Sequence, residues 1–150
     1  SMLTLAACVA EPIDGEVIAN FPTTTVPTIN GWALDPNLPV AVQARNSSGT
    51  FVEIATTTSA PSGWSWDGST WYGWSISNLV VPAAYWTPKP FGCGTRATLR
   101  VEIGDFYAQS LDQPWAECWD PEGTLSDFLD NCTSDNSPLL TIETCGALCC

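Results

Sequence analysis

The most regular alternation of apolar and polar residues in the chain runs from Thr95 to Ile103. Every second residue is apolar from Ala97 onward, and the residues between them are polar or charged. A period of two residues predicts a β-strand with one face toward a core and the other toward water. Gly104-Asp105 follows with the composition of a two-residue turn, so residues 106–111 are predicted to pair back on this strand as a hairpin.

The register of this hairpin also predicts a disulfide. If the pairing is continued outward from the turn, Cys93 and Cys118 come to lie nearly opposite each other. Two sulfur atoms in that position are within bonding reach, so we predict a Cys93–Cys118 disulfide. Closing a loop of this length stabilises a domain by about 3.5 kcal/mol.

Shorter alternating segments occupy the first half of the chain and are separated by residues that favour turns. The strands predicted there are residues 17–21, 28–34, 40–45 and 50–56, with turns at residues 35–37 and 46–49. After Cys118 the spacing becomes helical. Residues 123–130 are predicted to form a short helix with Thr124 as its N-cap, Asp127 three residues later, and Leu125, Phe128 and Leu129 on one face.

The composition supports an all-β class. Twelve prolines and eleven glycines accompany a single methionine, which is typical of short strands joined by tight turns. A chain of 150 residues with 45% hydrophobic content can build one core. We predict a signal remnant and tether over residues 1–27, a β-sandwich over 28–118, and a cysteine-rich extension over 119–150 that packs on the sandwich.

Seven cysteines in so short a chain indicate an oxidising, extracytoplasmic compartment. A zinc site would need histidines or paired Cys-x-x-Cys motifs, and the sequence has neither, so no metal or cofactor is predicted. Beyond Cys93 and Cys118, the remaining cysteines can pair in more than one way, and the sequence does not choose among the pairings. These four are Cys132, Cys145, Cys149 and Cys150.

The start of the chain resembles the end of a bacterial lipoprotein signal. Met2 begins a short apolar run that ends in Leu-Ala-Ala-Cys, the arrangement of the lipobox, at Cys8. This resemblance implies that Cys8 carries a lipid and that the domain stands on a bacterial cell surface or in the periplasm. The alternative is an apolar N-terminal segment with a free thiol at Cys8.

The charge and the residue inventory narrow the function. Sixteen acidic and four basic residues give a net charge of −12, which argues against nucleic acid as a partner. The absence of histidine removes the common catalytic triads, and Lys89 lies between prolines in a loop unsuited to a Ser-Lys pair, so we predict no enzyme. Paired-carboxylate chemistry stays open with Asp67 as the named candidate, although no partner for it can be identified.

The stretch from Ile29 to Pro36 reads Ile-Asn-Gly-Trp-Ala-Leu-Asp-Pro and precedes the predicted strand at Val40. It resembles the second strand of bacterial immunoglobulin-like domains that carry a Gly-Trp-Ala-Leu-Asp-Pro signature. The resemblance extends over about residues 28–112, through Trp74-Ser75-Ile76 and residues 97–101. It implies an antiparallel immunoglobulin-like sandwich used as a spacer, an adhesin or a ligand-binding surface, with no shared catalytic residues.

A tryptophan-rich segment at residues 64–74 is the candidate binding site. Flat aromatic rings stack on sugars, and a carboxylate can hydrogen-bond sugar hydroxyls. The alternative is a hairpin that turns at Asp67-Gly68 and points its rings into the core. The candidate ligand-binding residues are Trp64, Trp66, Asp67, Trp71, Tyr72 and Trp74.

From these observations we expect a non-catalytic surface module that binds extracellular protein or organises the cell envelope. A carbohydrate-binding module that uses the same tryptophans is the second hypothesis, and a purely structural stalk is the third. Contact with a membrane is expected only through the lipid at Cys8.

Overall fold

The computed structural model describes residues 7–133 and 137–149, which fold into two β-sheets packed as a sandwich. Aliphatic side chains from both sheets fill the space between them, so the predicted fold class is confirmed. The strands are β1 (Ala7–Glu11), β2 (Glu16–Asn20), β3 (Thr25–Ala33), β4 (Pro39–Arg45), β5 (Phe51–Thr58), β6 (Trp64–Trp66), β7 (Ser69–Val80), β8 (Thr87–Pro88), β9 (Thr95–Ile103), β10 (Phe106–Tyr107), β11 (Gln109–Ser110) and β12 (Leu139–Cys145).

The first sheet has the strand order β11-β1-β3-β7-β6, and the second has the order β2-β12-β9-β4-β5, with β8 and β10 also paired to β9. Most neighbouring strands are antiparallel, as expected. Two pairs are parallel: β1 with β11, and β12 with β2. Two short helices, α1 (Trp115–Cys118) and α2 (Leu125–Cys132), lie between β11 and β12 along the chain, and single 3-10 turns occur at Ala83–Tyr85 and Pro90–Gly92.

Strand β9 has the bounds that its alternating pattern predicted. Its apolar residues are buried between the sheets, and its polar residues are partly or fully exposed. Antiparallel neighbours flank it on both sides, β4 and β12. It therefore occupies the middle of the second sheet, where a strand has ladder partners at both edges.

The N-terminal residues do not form the predicted tether. Strand β1 lies inside the first sheet between β3 and β11, and four of its five residues, 7–10, are buried. Strand β2 forms the edge of the second sheet beside β12. The threonines and prolines suggested a flexible linker because their pattern does not reveal partners that lie more than a hundred residues away along the chain.

The predicted hairpin after β9 is much shorter than expected. Phe106 pairs with Ile103 and Tyr107 with Glu102, which is the predicted register. The chain then leaves the second sheet, and Gln109–Ser110 joins the first sheet as β11. The register therefore cannot be continued to the cysteines.

The predicted Cys93–Cys118 disulfide is wrong for this reason. Cys93 is bonded to Cys149, and Cys118 is bonded to Cys132. Cys145 is also disulfide-bonded, and Cys8 is a buried free thiol. Cys150 lies outside the described residues.

The C-terminal region is only partly an extension packed on the sandwich. Strand β12 is itself a strand of the second sheet, between β2 and β9, and its residues Leu140 and Ile142 belong to the main core. The helix predicted over residues 123–130 is present as α2. Thr124 and Asp127 form the expected reciprocal capping box at its start.

Candidate functional site

A second apolar cluster covers the outer face of the first sheet, opposite the main core. It arises because β1, β3 and β7 direct alternate side chains to opposite faces. In β1, for example, Val9 joins the core between the sheets, whereas Cys8 and Ala10 join the outer cluster. The outer cluster, which we call the aromatic core, consists of the buried residues Cys8, Ala10, Trp32, Trp71, Leu111, Phe128 and Cys132.

The tryptophan-rich segment is a hairpin formed by β6 and β7. It turns at Asp67-Gly68, where both residues have positive φ (48° and 77°), as the primed two-residue turns require. Trp64 lies opposite Trp71, and Trp66 lies opposite Ser69. The hairpin alternative raised by the sequence is therefore the observed local structure.

Asp67 has a structural role at this turn. The backbone N–H of Leu125, the first residue of α2, donates a hydrogen bond of 2.7 Å to the Asp67 carboxylate. A negative charge at a helix N-terminus satisfies an unpaired N–H and interacts favourably with the helix dipole. Asp67 thus attaches the hairpin tip to α2. The carboxylate oxygen that accepts this hydrogen bond already has a partner within the protein.

Helix α1 is attached to the same region by the Cys118–Cys132 disulfide. Trp115 and Trp119 are separated by one helical turn, and their rings are stacked with centroids 5.1 Å apart and planes inclined by 15°. Trp119 also contacts Trp66 at 5.1 Å, and Trp66 meets the Phe128 ring edge-on at 5.5 Å. The rings of the hairpin and both helices therefore form one continuous network.

An open cleft of about 470 Å³ lies beside this network. Trp32, on β3, is 5% exposed, whereas Trp64 is 40% exposed. We call this cavity the aromatic cleft, and its lining residues are Ala10, Glu11, Asn30, Gly31, Trp32, Trp64, Trp115 and Trp119.

Gly31, on β3, allows the neighbouring strand β1 to approach closely at this cleft. A Cβ atom at this position would overlap the backbone carbonyl of Cys8 and crowd the ring of Trp74. Glycine is therefore required here because two backbones come into contact. Gly31, Asn30 and Glu11 line the cleft together with the tryptophans.

A second cleft of about 330 Å³, which we call the acidic cleft, lies beside the first. Glu11 and Glu16 line it together with apolar residues such as Ile13 and Val17. Partial burial raises the pKa of the Glu16 carboxyl, and the nearby negative charge of Glu11 raises it further.

Most of the six predicted ligand-binding residues do not line the aromatic cleft. Of the six, only Trp64 lines the aromatic cleft, and Trp66 contacts the ring of Trp119, which also lines it. Trp71 and Trp74 are 2% and 3% exposed, and neither lines the aromatic cleft. Asp67 holds α2, and half-buried Tyr72 does not line the cleft.

Sequence reasoning missed three cleft tryptophans, Trp32, Trp115 and Trp119. The spacing of Trp115 and Trp119 was a usable signal, because residues four apart share one helix face. Trp32 belongs to the alternating pattern of β3, where its outward position implied either solvent or a second layer. The missing information was that the first sheet is covered on both faces.

The predicted lipid at Cys8 does not fit this structure. Its side chain is fully buried in the aromatic core, and it is the second residue of strand β1. Burial raises the pKa of the Cys8 thiol well above its usual range. A lipid chain on this sulfur would displace the residues packed around it, including Phe128 of α2.

The basic residues lie away from both clefts. Lys89 donates a 2.7 Å hydrogen bond to Glu143, which also pairs with Arg96. Arg100 lies between the rings of Phe51 and Tyr107, at 4.1 and 4.3 Å from their centroids. Arg96 and Arg100 thus lie on β9 of the second sheet, and Lys89 directly follows β8, which pairs with β9.

Over residues 7–133 and 137–149, no cluster of three or more potential ligands forms a metal site. No helix in this part of the chain has the length and apolar character needed to cross a membrane. Comparison with protein-family models, curated proteins and solved structures finds no match to this chain.

Proposed function

We propose that this protein is a non-catalytic, extracytoplasmic binding module and that the aromatic cleft holds a carbohydrate. The observation that carries the proposal is the set of four tryptophans that line one open cleft together with Glu11 and Asn30. Sugars present flat apolar faces and a rim of hydroxyl groups, so they fit a site that combines aromatic rings with a few polar groups.

The disulfides support the location. Cys93–Cys149 ties the start of β9 to the chain after β12, and Cys118–Cys132 joins the two helices beside the cleft. Bonds of this kind persist in oxidising compartments. The sequence resemblance predicts that the protein is located in a bacterial envelope. Our proposal keeps this location but does not include a lipid on Cys8.

The experiment is a titration of the folded protein with neutral and amino-bearing oligosaccharides, followed by tryptophan fluorescence and calorimetry. Trp64→Ala is expected to weaken binding by up to about tenfold, because stacking on one ring contributes roughly 0.5 to 1.5 kcal/mol. Phe91→Ala is the matched control, since Phe91 is 89% exposed and lies outside both clefts. Equal affinities of the two variants would contradict the proposal.

Protein binding is a second candidate function, favoured by a different surface. Phe91 and Leu148 are 89% and 82% exposed near the Cys93–Cys149 disulfide, and Leu148 lies close to Gly92. Exposed large apolar side chains of this kind suit a contact with another protein. The Phe91→Ala variant tests this candidate too, because it should weaken an adhesion or assembly activity while leaving glycan binding unchanged.

A further inference from the structure

The aromatic cleft and the acidic cleft share one wall. Ala10, Glu11 and Trp115 line both cavities, so the two lie on either side of these residues and adjoin each other. A ligand that fills the first cleft therefore comes next to the second. Glu11, which lines both clefts, can therefore contact a single ligand chain in each of them.

The two clefts differ in chemistry. The first is lined mainly by tryptophans, whereas the second is lined by Glu11 and Glu16 and by apolar neighbours. Neither carboxylate forms an ion pair among the described residues, and no lysine or arginine lines either cleft. The site thus presents negative charge that the protein itself does not neutralise.

This arrangement disfavours anionic glycans. A uronic acid or a sulfated sugar would place its negative charge beside two carboxylates, and like charges at short range repel. An ammonium group would instead gain a charge-assisted hydrogen bond and relieve the repulsion between Glu11 and Glu16. The raised pKa of Glu16 agrees with a carboxylate that lacks a cationic partner.

Resting on the proposed function, we infer that the two clefts form one groove for a linear oligosaccharide and that the acidic cleft holds an amino-bearing sugar residue of that chain. The aromatic cleft provides stacking for a neighbouring residue. Trp115 lies at the junction and contacts both parts of the ligand. The module thereby selects a cationic glycan chain over a neutral or an anionic one.

The test measures the affinity of the protein for three probes by calorimetry: a glucosamine tetramer, an N-acetylglucosamine tetramer and glucosamine itself. The glucosamine tetramer is expected to bind about tenfold tighter than the acetylated tetramer, as one charge-assisted hydrogen bond would produce. It is also expected to bind more tightly than the monomer, because only the chain reaches both clefts.

Two variants locate the effect. Glu16→Gln removes the charge with little change of shape and is expected to abolish the preference for the glucosamine tetramer over the acetylated tetramer. Glu53→Gln, on an exposed position of β5 outside both clefts, is the matched control and should change nothing. Since burial already disfavours the charge on Glu16, glutamine at this position should not impair folding.

The outcomes separate the two proposals. If neither tetramer binds, the proposed function is overturned and the inference falls with it. If both tetramers bind with an affinity that Trp64→Ala weakens but Glu16→Gln leaves unchanged, only the inference is overturned. A monomer that binds as tightly as the tetramer would likewise contradict the continuous groove.

Discussion

The core between the sheets and the aromatic core on the outer face share strands β1, β3 and β7 of the first sheet but are closed in different ways. The first contains mainly valine, leucine, isoleucine and alanine, and two ladders of paired strands cover it from both sides. The second contains Trp32, Trp71 and Phe128 and is covered by the hairpin tip and two short helices. Large rigid rings under an irregular cover leave the open cleft that the aliphatic core does not have.

The difference predicts that the two cores respond separately to mutation. The Cys93–Cys149 disulfide belongs to the sandwich, since it ties the residues before β9 to those after β12. The Cys118–Cys132 disulfide belongs to the aromatic core, since it ties α1 to α2. Removing one bond at a time therefore tests whether stability and ligand binding depend on different parts of the molecule.

The largest effect is expected from the double variant Cys93→Ala/Cys149→Ala. The bond spans 56 residues, so its loss should lower the free energy of unfolding by about 4 kcal/mol. Urea unfolding monitored by circular dichroism measures this loss. Glycan affinity of the folded fraction should stay at the wild-type value, and a large drop in affinity would contradict the separation of the two cores.

The double variant Cys118→Ala/Cys132→Ala is the counterpart. Its bond spans only 14 residues, so the expected loss of stability is smaller, about 3 kcal/mol. Here, however, the helix that carries Trp115 is released from α2. We expect a red shift of the tryptophan emission and weaker glycan binding, whereas unchanged binding would mean that α1 does not depend on this bond.

A smaller effect is expected at the hairpin tip. Asp67→Ala removes the acceptor of the Leu125 N–H and places alanine at a positive φ, so unfolding should become easier by about 1.5 kcal/mol. Asp67→Asn is the matched control, because asparagine tolerates this backbone conformation and keeps an acceptor. Thermal unfolding measures the stability of each variant. Equal stability of the alanine variant and the wild type would contradict the stabilising role of Asp67.

Two glutamates give the smallest effects, with opposite signs. The side-chain hydrogen bond from Lys89 lowers the pKa of Glu143 below its ordinary value of 4.5. The ionised Glu143 carboxylate therefore stabilises the folded state fully above the unfolded-state pKa. This stabilisation is lost as the pH falls through the lower folded-state pKa. Glu143→Gln should cost about 1 kcal/mol at neutral pH and nothing in strong acid.

Glu16 should behave in the opposite way, because its pKa is raised in the folded state. Its contribution favours folding at low pH and is lost as the pH rises through the folded-state pKa. Glu16→Gln should therefore leave the protein unchanged in acid and stabilise it slightly at neutral pH. Urea midpoints measured at both pH values check the two signs together, and the same sign for both variants would contradict the assignment.

The sequence predicted elements whose signal is local. The bounds of β9, the capping box of Thr124 and Asp127, and the turn at Asp67-Gly68 each depend on residues that are neighbours along the chain. The pairing of β1 with β3 and β11 depends on distant residues, and the threonine and proline content of the N-terminal region hid it. Local patterns therefore predicted most strands of the sandwich, but not how distant strands pair.

The candidate site could be predicted only in part for the same reason. Trp64 was identified from its tryptophan-rich segment, but Trp115 joins it only because the chain crosses from β10 to the first sheet after Tyr107. That crossing also invalidated the predicted partner of Cys93. A two-residue strand has too weak a sequence signal to show where a hairpin ends.

The most direct test of the account is a nitrogen-15 correlation spectrum of the tryptophan indole groups, recorded with and without a glucosamine tetramer. The sequence has eight tryptophans, so the indole signals report separately on the cleft and on the rest of the molecule. The account predicts that the signals of Trp64, Trp115 and Trp119 shift, while those of Trp74 and Trp86 stay in place. A spectrum in which no signal moves, or in which only Trp86 moves, would contradict it.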